Sequence, residues 1–502
     1  MSLMGLDIGT TGCKAVVFDE KGVILASAYR EYPFEQPQDN WAEFRPALIW
    51  GKAQEVLQEV NGQVKMNPVK ALAVSSQGEA VTAVDASGNS LYNIIASFDY
   101  RAIEQMNFLE ASLSKEILYQ KSGMPSHPMY SINKIMWLKQ NRPDIFENTW
   151  KFMLVEDYII FQLTGECGID YSLAARTMAF DVTAKKWSSE ILAIAGIEPE
   201  KLSPPVPSGT IIANVKKTLR DALGFVGEIP VITGGHDQPC GALGAGVLKA
   251  GTAMNSMGTV DAICPIFQKL NFSEAMRLGN YSIYPYVASD FYCTIGINMT
   301  GGLLLRWYRD TLCAEEQHKA LELKRDPYEL IIADMAPLPK DIFFLPHFVG
   351  AGTPYFDPLS KGAIVGLKVS TSKADLTRSI VDGINYEMKQ NIDYFRQNGI
   401  VLHEIRSVGG GAKSKTWLQI KASCFGIPVV KPKVSEAVSL GAAILAGYAI
   451  GSFKSIEDGV ANMVSIAEVF DPDPELNAIY EEKYLKYKQL YQLLKPFNAT
   501  LD

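Results

Sequence analysis

Short apolar runs, each closed by glycines or hydroxyl residues, recur along this chain, with helical periodicity in the stretches between them. Leu3 to Ile8 is apolar apart from Gly5 and Asp7, Gly9-Thr10-Thr11-Gly12 turns, and Ala15 to Phe18 returns. With the turn Asp19-Glu20-Lys21-Gly22 and the run Val23 to Ala26, this predicts a three-strand meander. Trp41 to Val60 repeats its apolar positions at three and four, so it predicts a helix. Val69 to Ser75, Val81 to Asp85 and Ile94 to Phe98 read as strands that each run into polar residues. Gly123 to Asn141 reads as a loop and then a helix, and Leu163-Thr164-Gly165 as a helix stop.

Near the middle, Val231-Ile232-Thr233 runs into Gly234-Gly235-His236-Asp237-Gln238 and then into small residues up to Gly246. A strand-to-helix turn of this kind exposes Asp237 at the carboxyl end of a sheet, where α/β proteins place ligands. The second half restarts with Ala253 to Ser256, the turn Met257-Gly258-Thr259 and the return Val260 to Ile266. This echoes the first hairpin and suggests a duplication. Thr300-Gly301-Gly302 opens a helix through Tyr308. Ile405 to Val408 is a strand ending in Gly409-Gly410-Gly411-Ala412-Lys413-Ser414, followed by a helix from Thr416 to Phe425. The small-residue segment Ser439 to Ile450 predicts a helix packed tightly behind that turn.

The candidate chemistry follows the strand ends. Asp237 is a candidate general base for phosphoryl transfer; the competing reading is an aspartate that caps a structural helix. Gly9, Thr10 and Thr11 can aim N–H and hydroxyl groups at a phosphate, and Asp7 beside them could hold magnesium through water. The turn is not a GxxxxGK[ST] loop, and Lys14 is misplaced for one. Gln77, Glu79, Asp99 and Arg101 follow buried strands and are candidates for a small-molecule site. Capping and loop salt bridges are the alternative task for each of them. The triple glycine lets a base or phosphate approach the backbone closely.

Composition narrows the class. At 502 residues the chain exceeds one hydrophobic core, so two or more domains are expected, with the boundary near Gly246 to Gly251. A net charge of −8 without long single-sign runs leaves no basic footprint for nucleic acid. Seven scattered cysteines point to reduced thiols in a cytoplasm and away from a disulfide framework or zinc site. The apolar segment Ala437 to Ile450 is shorter than the roughly 20 residues that span a bilayer, so no membrane partner is expected.

Five motifs in order then carry a resemblance. Asp7-Ile8-Gly9-Thr10-Thr11, Met129 to Asn141, Gly234 to Gln238, Gly362 to Leu367 with Asp375 to Asp382, and Gly409 to Ser414 resemble the FGGY family of carbohydrate kinases across essentially the whole chain. The resemblance implies an α/β fold of two actin/ribonuclease-H-like ATPase domains, each with a mixed five-stranded sheet, around a cleft. Residues 1–246 would form the sugar-binding side and 247–502 the ATP-binding side. It implies ATP and Mg2+ as cofactors, Asp237 as the base, and Asp7 with Asp237 at the metal. Thr10, Thr11 and Lys14 would lie in a first phosphate loop, Gly258 and Thr259 in a second. Gly301, Gly302, Gly410, Gly411, Ala412 and Ser414 would surround the nucleotide. Gln77, Glu79, Asp99, Arg101, Tyr130, Asp237 and Gln238 would face a sugar or polyol, and a homodimer is an assembly common in the family. The Asp237-Gln238 pair, Glu79 and Tyr130 are similar to glycerol kinases, whereas Gly78 and Ser97 depart from them. The absence of a bulky wall at Ser97 favours a larger acceptor, with a pentulose such as xylulose as the first expectation; glycerol, gluconate and other polyols are alternatives. Outside sugar kinases, the same fold would suit an actin- or Hsp70-like nucleotide switch or a non-catalytic sugar-binding regulator.

Overall fold

The computed structural model describes residues 2–288 and 290–501. In the first half, β1 (Ser2–Ile8), β2 (Gly12–Asp19) and β3 (Ile24–Glu31) form the expected meander. Helix α1 (Pro46–Gln63) starts later than its periodicity suggested, because Pro46 fits the first helical turn; the preceding Glu43 and Phe44 pair as a strand. β4 (Val69–Ser76), β5 (Ile211–Asn214) and β6 (Pro230–His236) complete a sheet ordered β5-β6-β4-β1-β2-β3. β1, β4 and β6 are parallel neighbours. They are buried nearly throughout, as the central strands of a parallel sheet covered on both faces must be. Three helices serve the end of this sheet: α2 (Ser131–Asn141), α3 (Tyr171–Ala175) and α4 (Asp237–Gly244).

The second half repeats the plan. β7 (Thr252–Met257) and β8 (Asp261–Phe267) form a hairpin, with β9 (Tyr284–Pro285), β10 (Tyr292–Cys293) and β11 (Gly296–Asn298) on the far side of β8. β12 (Glu404–Val408) runs parallel to β7 and β13 (Val429–Pro432) parallel to β12, and β14 (Ile466–Phe470) closes the edge. The order β11-β8-β7-β12-β13 matches β3-β2-β1-β4-β6, with the same pairing directions. The duplication suggested by one Gly-Thr turn is therefore present at the level of the whole sheet. Extra edge strands make the sheets six- and eight-stranded instead of five-stranded. Helices α5 (Gly301–Leu312), α6 (Lys373–Gln397) and α7 (Lys415–Phe425) pack on the second sheet. The 25-residue α6, opened by a Ser372/Asp375 capping box, carries most of its residues in the core.

The helix α8 (Ala437–Ala449) corrects one expectation. It does not pack behind the triple-glycine turn; it crosses to the first sheet and lies against β1, β4, β6 and α4. The reason is backbone proximity. A Cβ on Gly5 would stand 2.0 Å from the Ser439 carbonyl oxygen, one on Gly244 1.8 Å from that of Ala437, and one on Gly441 1.9 Å from that of Cys240. Helix α8 and its counterpart α4 thus cross almost backbone to backbone and join the two halves. Gly441→Ala provides a sign test. In an exposed helix the change would stabilise by about 1 kcal/mol, but here overpacking should cost about 1–3 kcal/mol. A urea midpoint that rises in the variant would contradict this packing.

Among the described residues, no helix is long and apolar enough to cross a membrane. The seven cysteines are free, six of them buried.

Candidate active site

Both sheets end at one cleft, and the glycines of β6 shape its floor. A Cβ at Gly234 would meet the Val74 carbonyl oxygen at 2.3 Å, and Gly235 has φ of 144° with Ser172 and Val287 against it. Ser75 Oγ donates to the Gly235 carbonyl at 2.9 Å, and the His236 N–H donates to Ser172 Oγ at 2.9 Å. Asp170 caps α3, accepting from the N–H groups of Ser172 and Leu173, and also accepts from Ser208 Oγ at 2.7 Å. His236, not Asp237, is the N-cap residue of α4, and no side chain makes the cap hydrogen bond. Asp237 takes the first position of α4, where its carboxylate accepts from Gln238 and stands 3.2 Å from His236 Nε2 while staying partly exposed. Its carboxyl is pushed up to about 7, chiefly by desolvation and then by the charge of Glu79, with Arg176 opposing. The side chain keeps 28% exposure, so solvent in the cleft offsets part of that push.

Asp7, at the end of β1, has a buried Oδ1 with no hydrogen-bond partner. Burial first and the Asp237 charge second push its carboxyl up to about 8. A carboxylate raised by burial and by a neighbouring carboxylate, with one orphaned oxygen, suits a hard divalent cation. Among the described residues no cluster of three or more His, Cys, Asp or Glu side chains accompanies them. Two carboxylates alone make no full protein cage, so a magnesium ion held there would complete its shell with water and phosphate oxygens.

Beside Asp237 lies a cavity of about 290 Å3 with walls from both halves, among them Ser126, His127, Tyr130, Arg176, Gln238 and Phe356. Arg176, directly after α3, contacts Glu79 through Nε and NH2, and its NH1 donates to Ser282 Oγ at 3.2 Å. Its guanidinium also lies 5.4 Å from the ring centroids of Tyr130 and Tyr284. One short helix thus secures β6 at its start and delivers a cation to the cavity at its end. Glu79 adopts the left-handed region, with φ of 59°. Its carbonyl accepts from Ser131 Oγ at 2.9 Å and from Lys134 Nζ at 3.1 Å, so α2 holds the strained residue in place. A Cβ at Gly78 would touch Arg176 Cγ at 3.3 Å and His236 Nε2 at 3.2 Å. The space opened by Gly78 is filled by these two side chains.

A second cavity of about 560 Å3 is lined by Gly258, Thr259, Gly301, Gly302, Gly410, Gly411 and Ser414, with Arg306, Tyr328 and Trp417 adding larger walls. Gly258 and Thr259 line both cavities, so the two meet at that turn.

Family models decide what this two-chambered cleft belongs to. The N-terminal domain model of the FGGY family of carbohydrate kinases matches residues 2–244, and its C-terminal domain model residues 253–450. The chain is an FGGY carbohydrate kinase. It is similar to a xylulose kinase of Staphylococcus epidermidis, 30% identical over 99% of this chain and 98% of that protein. It also resembles the gluconokinase of Bacillus subtilis, 31% identical over 92% and 90% of the two chains. The solved xylulose kinase of Lactobacillus acidophilus superimposes with a TM-score of 0.90 at 26% identity over 98% of both chains. As an FGGY kinase the protein is an ATP-dependent phosphotransferase acting on small sugars, with two actin/ribonuclease-H-like domains. A pure nucleotide switch is thereby set aside.

The expected kinase residues fall into three groups. Asp237, Gln238, Tyr130, Gly258, Thr259, Gly301, Gly302, Gly410, Gly411 and Ser414 line the cavities or stand beside them, and Ala412 is buried beneath the second one. Gly9, Thr10 and Thr11 form the first turn, with Gln77 Nε2 donating to the Gly9 carbonyl at 3.2 Å and Gln77 Oε1 buried without a partner. Lys14 Nζ pairs with Glu436 Oε2 at 2.7 Å, beside α8, and its charge is among those that act on Asp7.

Asp99 and Arg101 have a structural task instead of facing the cavity. Arg101 pairs with Asp99 and Glu43 at 2.7 and 2.8 Å and lies 3.8 Å from the Trp41 ring centroid. Asp99 also accepts the Ala42 N–H at 2.6 Å. These contacts satisfy both side chains and realise the loop-salt-bridge alternative. Residues missed in the sequence were Ser126, His127, Arg176, Ser282 and Phe356. They come from loops and from an arginine that no local pattern distinguishes, and only the tertiary fold gathers them.

Proposed function

We propose that this FGGY kinase phosphorylates a neutral ketose, with a pentulose such as xylulose first, and that Asp237 removes the proton from the accepting hydroxyl. One observation carries the choice of acceptor: Arg176 is the formally charged residue of the sugar-side lining, and Glu79 cancels it. An acidic sugar such as gluconate would bring a carboxylate close to Asp7, Asp237 and Glu79 with no free cation to meet it. The chain is equally similar to a xylulose kinase and to a gluconokinase, so the choice between them rests on the charge of the lining.

In this reading the acceptor lies in the smaller cavity and the nucleotide in the larger one. The γ-phosphoryl group passes between them at Gly258 and Thr259. Asp237 draws the hydroxyl proton as the new O–P bond forms and the bond to the ADP leaving oxygen breaks. Asp7, helped by Asp237, would hold a magnesium ion, whose charge would offset that of the phosphate oxygens. Backbone N–H groups at the glycine turns orient the nucleotide, and walls from residues 1–246 and 247–502 exclude water.

Coupled ADP release from magnesium-ATP across xylulose, ribulose, fuculose, gluconate, erythritol and glycerol tests this. A neutral five-carbon ketose should give the highest kcat/KM, and chelation with EDTA should abolish its turnover. Preference for gluconate would refute the neutral-acceptor reading.

A further inference from the structure

The wall formed by Pro125, Ser126 and His127 belongs to the loop before α2, and it faces the sugar-side cavity together with Phe356 of the second half. It is separate from the start of α4, which carries Asp237. His127 is clamped edge-on between two rings, Tyr100 at 5.4 Å and 76° and Phe356 at 5.3 Å and 81°. Its Nδ1 accepts the Met129 N–H at 3.2 Å, and its carbonyl accepts from Asn133 Nδ2 at 3.0 Å. A backbone N–H can only donate, so Nδ1 carries no proton. Burial, then the charges of Lys134 and Arg176, push the imidazole down to about 4, and the ring is neutral near pH 7. Its single ring proton therefore sits on Nε2, which makes no hydrogen bond to the described residues.

Two further features point the same way. Ser126 Oγ, in the same wall, is buried without a hydrogen-bond partner, and such an orphan needs an explanation. Phe356 holds a left-handed φ of 47°, secured by its N–H to the Gly352 carbonyl at 2.7 Å. A strained non-glycine residue that seats a donor over a cavity indicates function more than packing. The cavity, at about 290 Å3, has room for about ten waters at about 30 Å3 each, more than a three-carbon polyol fills.

We infer that His127 selects for acceptor length, donating from Nε2 to a sugar hydroxyl other than the one phosphorylated, with Ser126 as its polar neighbour. This deepens the neutral-ketose reading and rests on it. Because Phe356 comes from the second half, the donor is correctly seated only when both halves frame the cavity.

The test compares a five-carbon ketose that the enzyme turns over with the ketose one carbinol shorter. His127→Asn keeps an acceptor for the Met129 N–H but removes the distal donor. His127→Gln instead places an amide N–H near the position of Nε2. For His127→Asn, KM for the longer ketose should rise about 10-fold, with kcat within about threefold and the shorter ketose unaffected. His127→Gln should recover part of the loss, and Ser126→Ala should lower the same discrimination ratio. Thermal midpoints of His127→Asn and His127→Gln should fall alike, because both lose the ring held between Tyr100 and Phe356, so a KM difference between the two reports the distal N–H and not the packing. Equal KM changes for both ketoses, or an unchanged ratio, would overturn the inference while leaving the ketose reading intact. No turnover of any ketose by the wild-type enzyme would overturn that reading and this inference with it.

Discussion

Asp237→Asn should lower kcat about 10^3-fold, within the range of about 10^2 to 10^4 that a positioned general base contributes, while KM for the sugar changes little. The substitution keeps the size of the side chain and its place at the first position of α4, so the Gly234–Gly235 floor has no reason to move. What disappears is the proton acceptor at the end of β6. Nucleotide binding should survive, because the larger cavity is lined from the other side of the cleft. The same variant separates an enzyme from a sugar-binding regulator: a regulator would lose nothing measurable in turnover. Retention of more than a tenth of wild-type kcat would remove Asp237 from the role proposed for it.

Arg176→Met should be strongly destabilising. The guanidinium and the Glu79 carboxylate are 9% and 4% exposed and face one another in the cavity wall. Removing one member leaves a buried charge uncompensated, which costs about 3–5 kcal/mol. Arg176 also supports Ser282 Oγ and lies over two tyrosine rings, so packing is lost with the charge. Adding Glu79→Gln should restore a large part of the loss, since the double variant buries no charge at this place. Urea denaturation of the single and double variants measures both numbers. A single variant within about 1 kcal/mol of wild type, or a double variant less stable than the single, would show that the pair does not act as described.

The fold was legible in the sequence where local chemistry speaks for itself. β1, β2 and the Gly9-Thr10-Thr11 turn announce a hairpin, and Met257-Gly258-Thr259 announces its repeat. Gly234 and Gly235 at the end of an apolar run mark the strand that presents Asp237. The helix α6 entered only as a motif; its apolar positions do repeat at helical spacing, but the burial of polar residues such as Arg378, Asp382, Glu387 and Lys389 is decided by the fold around it. Helix α8 was recognised but assigned to the wrong neighbour. Its small residues show that something approaches closely without showing what, and the carbonyls of Cys240, Ala437 and Ser439 answer only in three dimensions. Asp99 and Arg101 stood after buried strands as promising as Glu79, yet they found each other and Glu43.

By itself the sequence determined the two repeated α/β halves and the family, and it singled out the glycines that line the larger cavity. These depend on residues adjacent in the chain, where turn geometry and strand burial leave few alternatives. The tertiary structure decided which polar groups line the smaller cavity. Arg176 fills the space above Gly78, His127 is seated by a ring from the other half, and Lys14 is paired with Glu436. Each is a long-range contact between loops or helix ends, set by how the elements pack, and no local spacing along the chain encodes it.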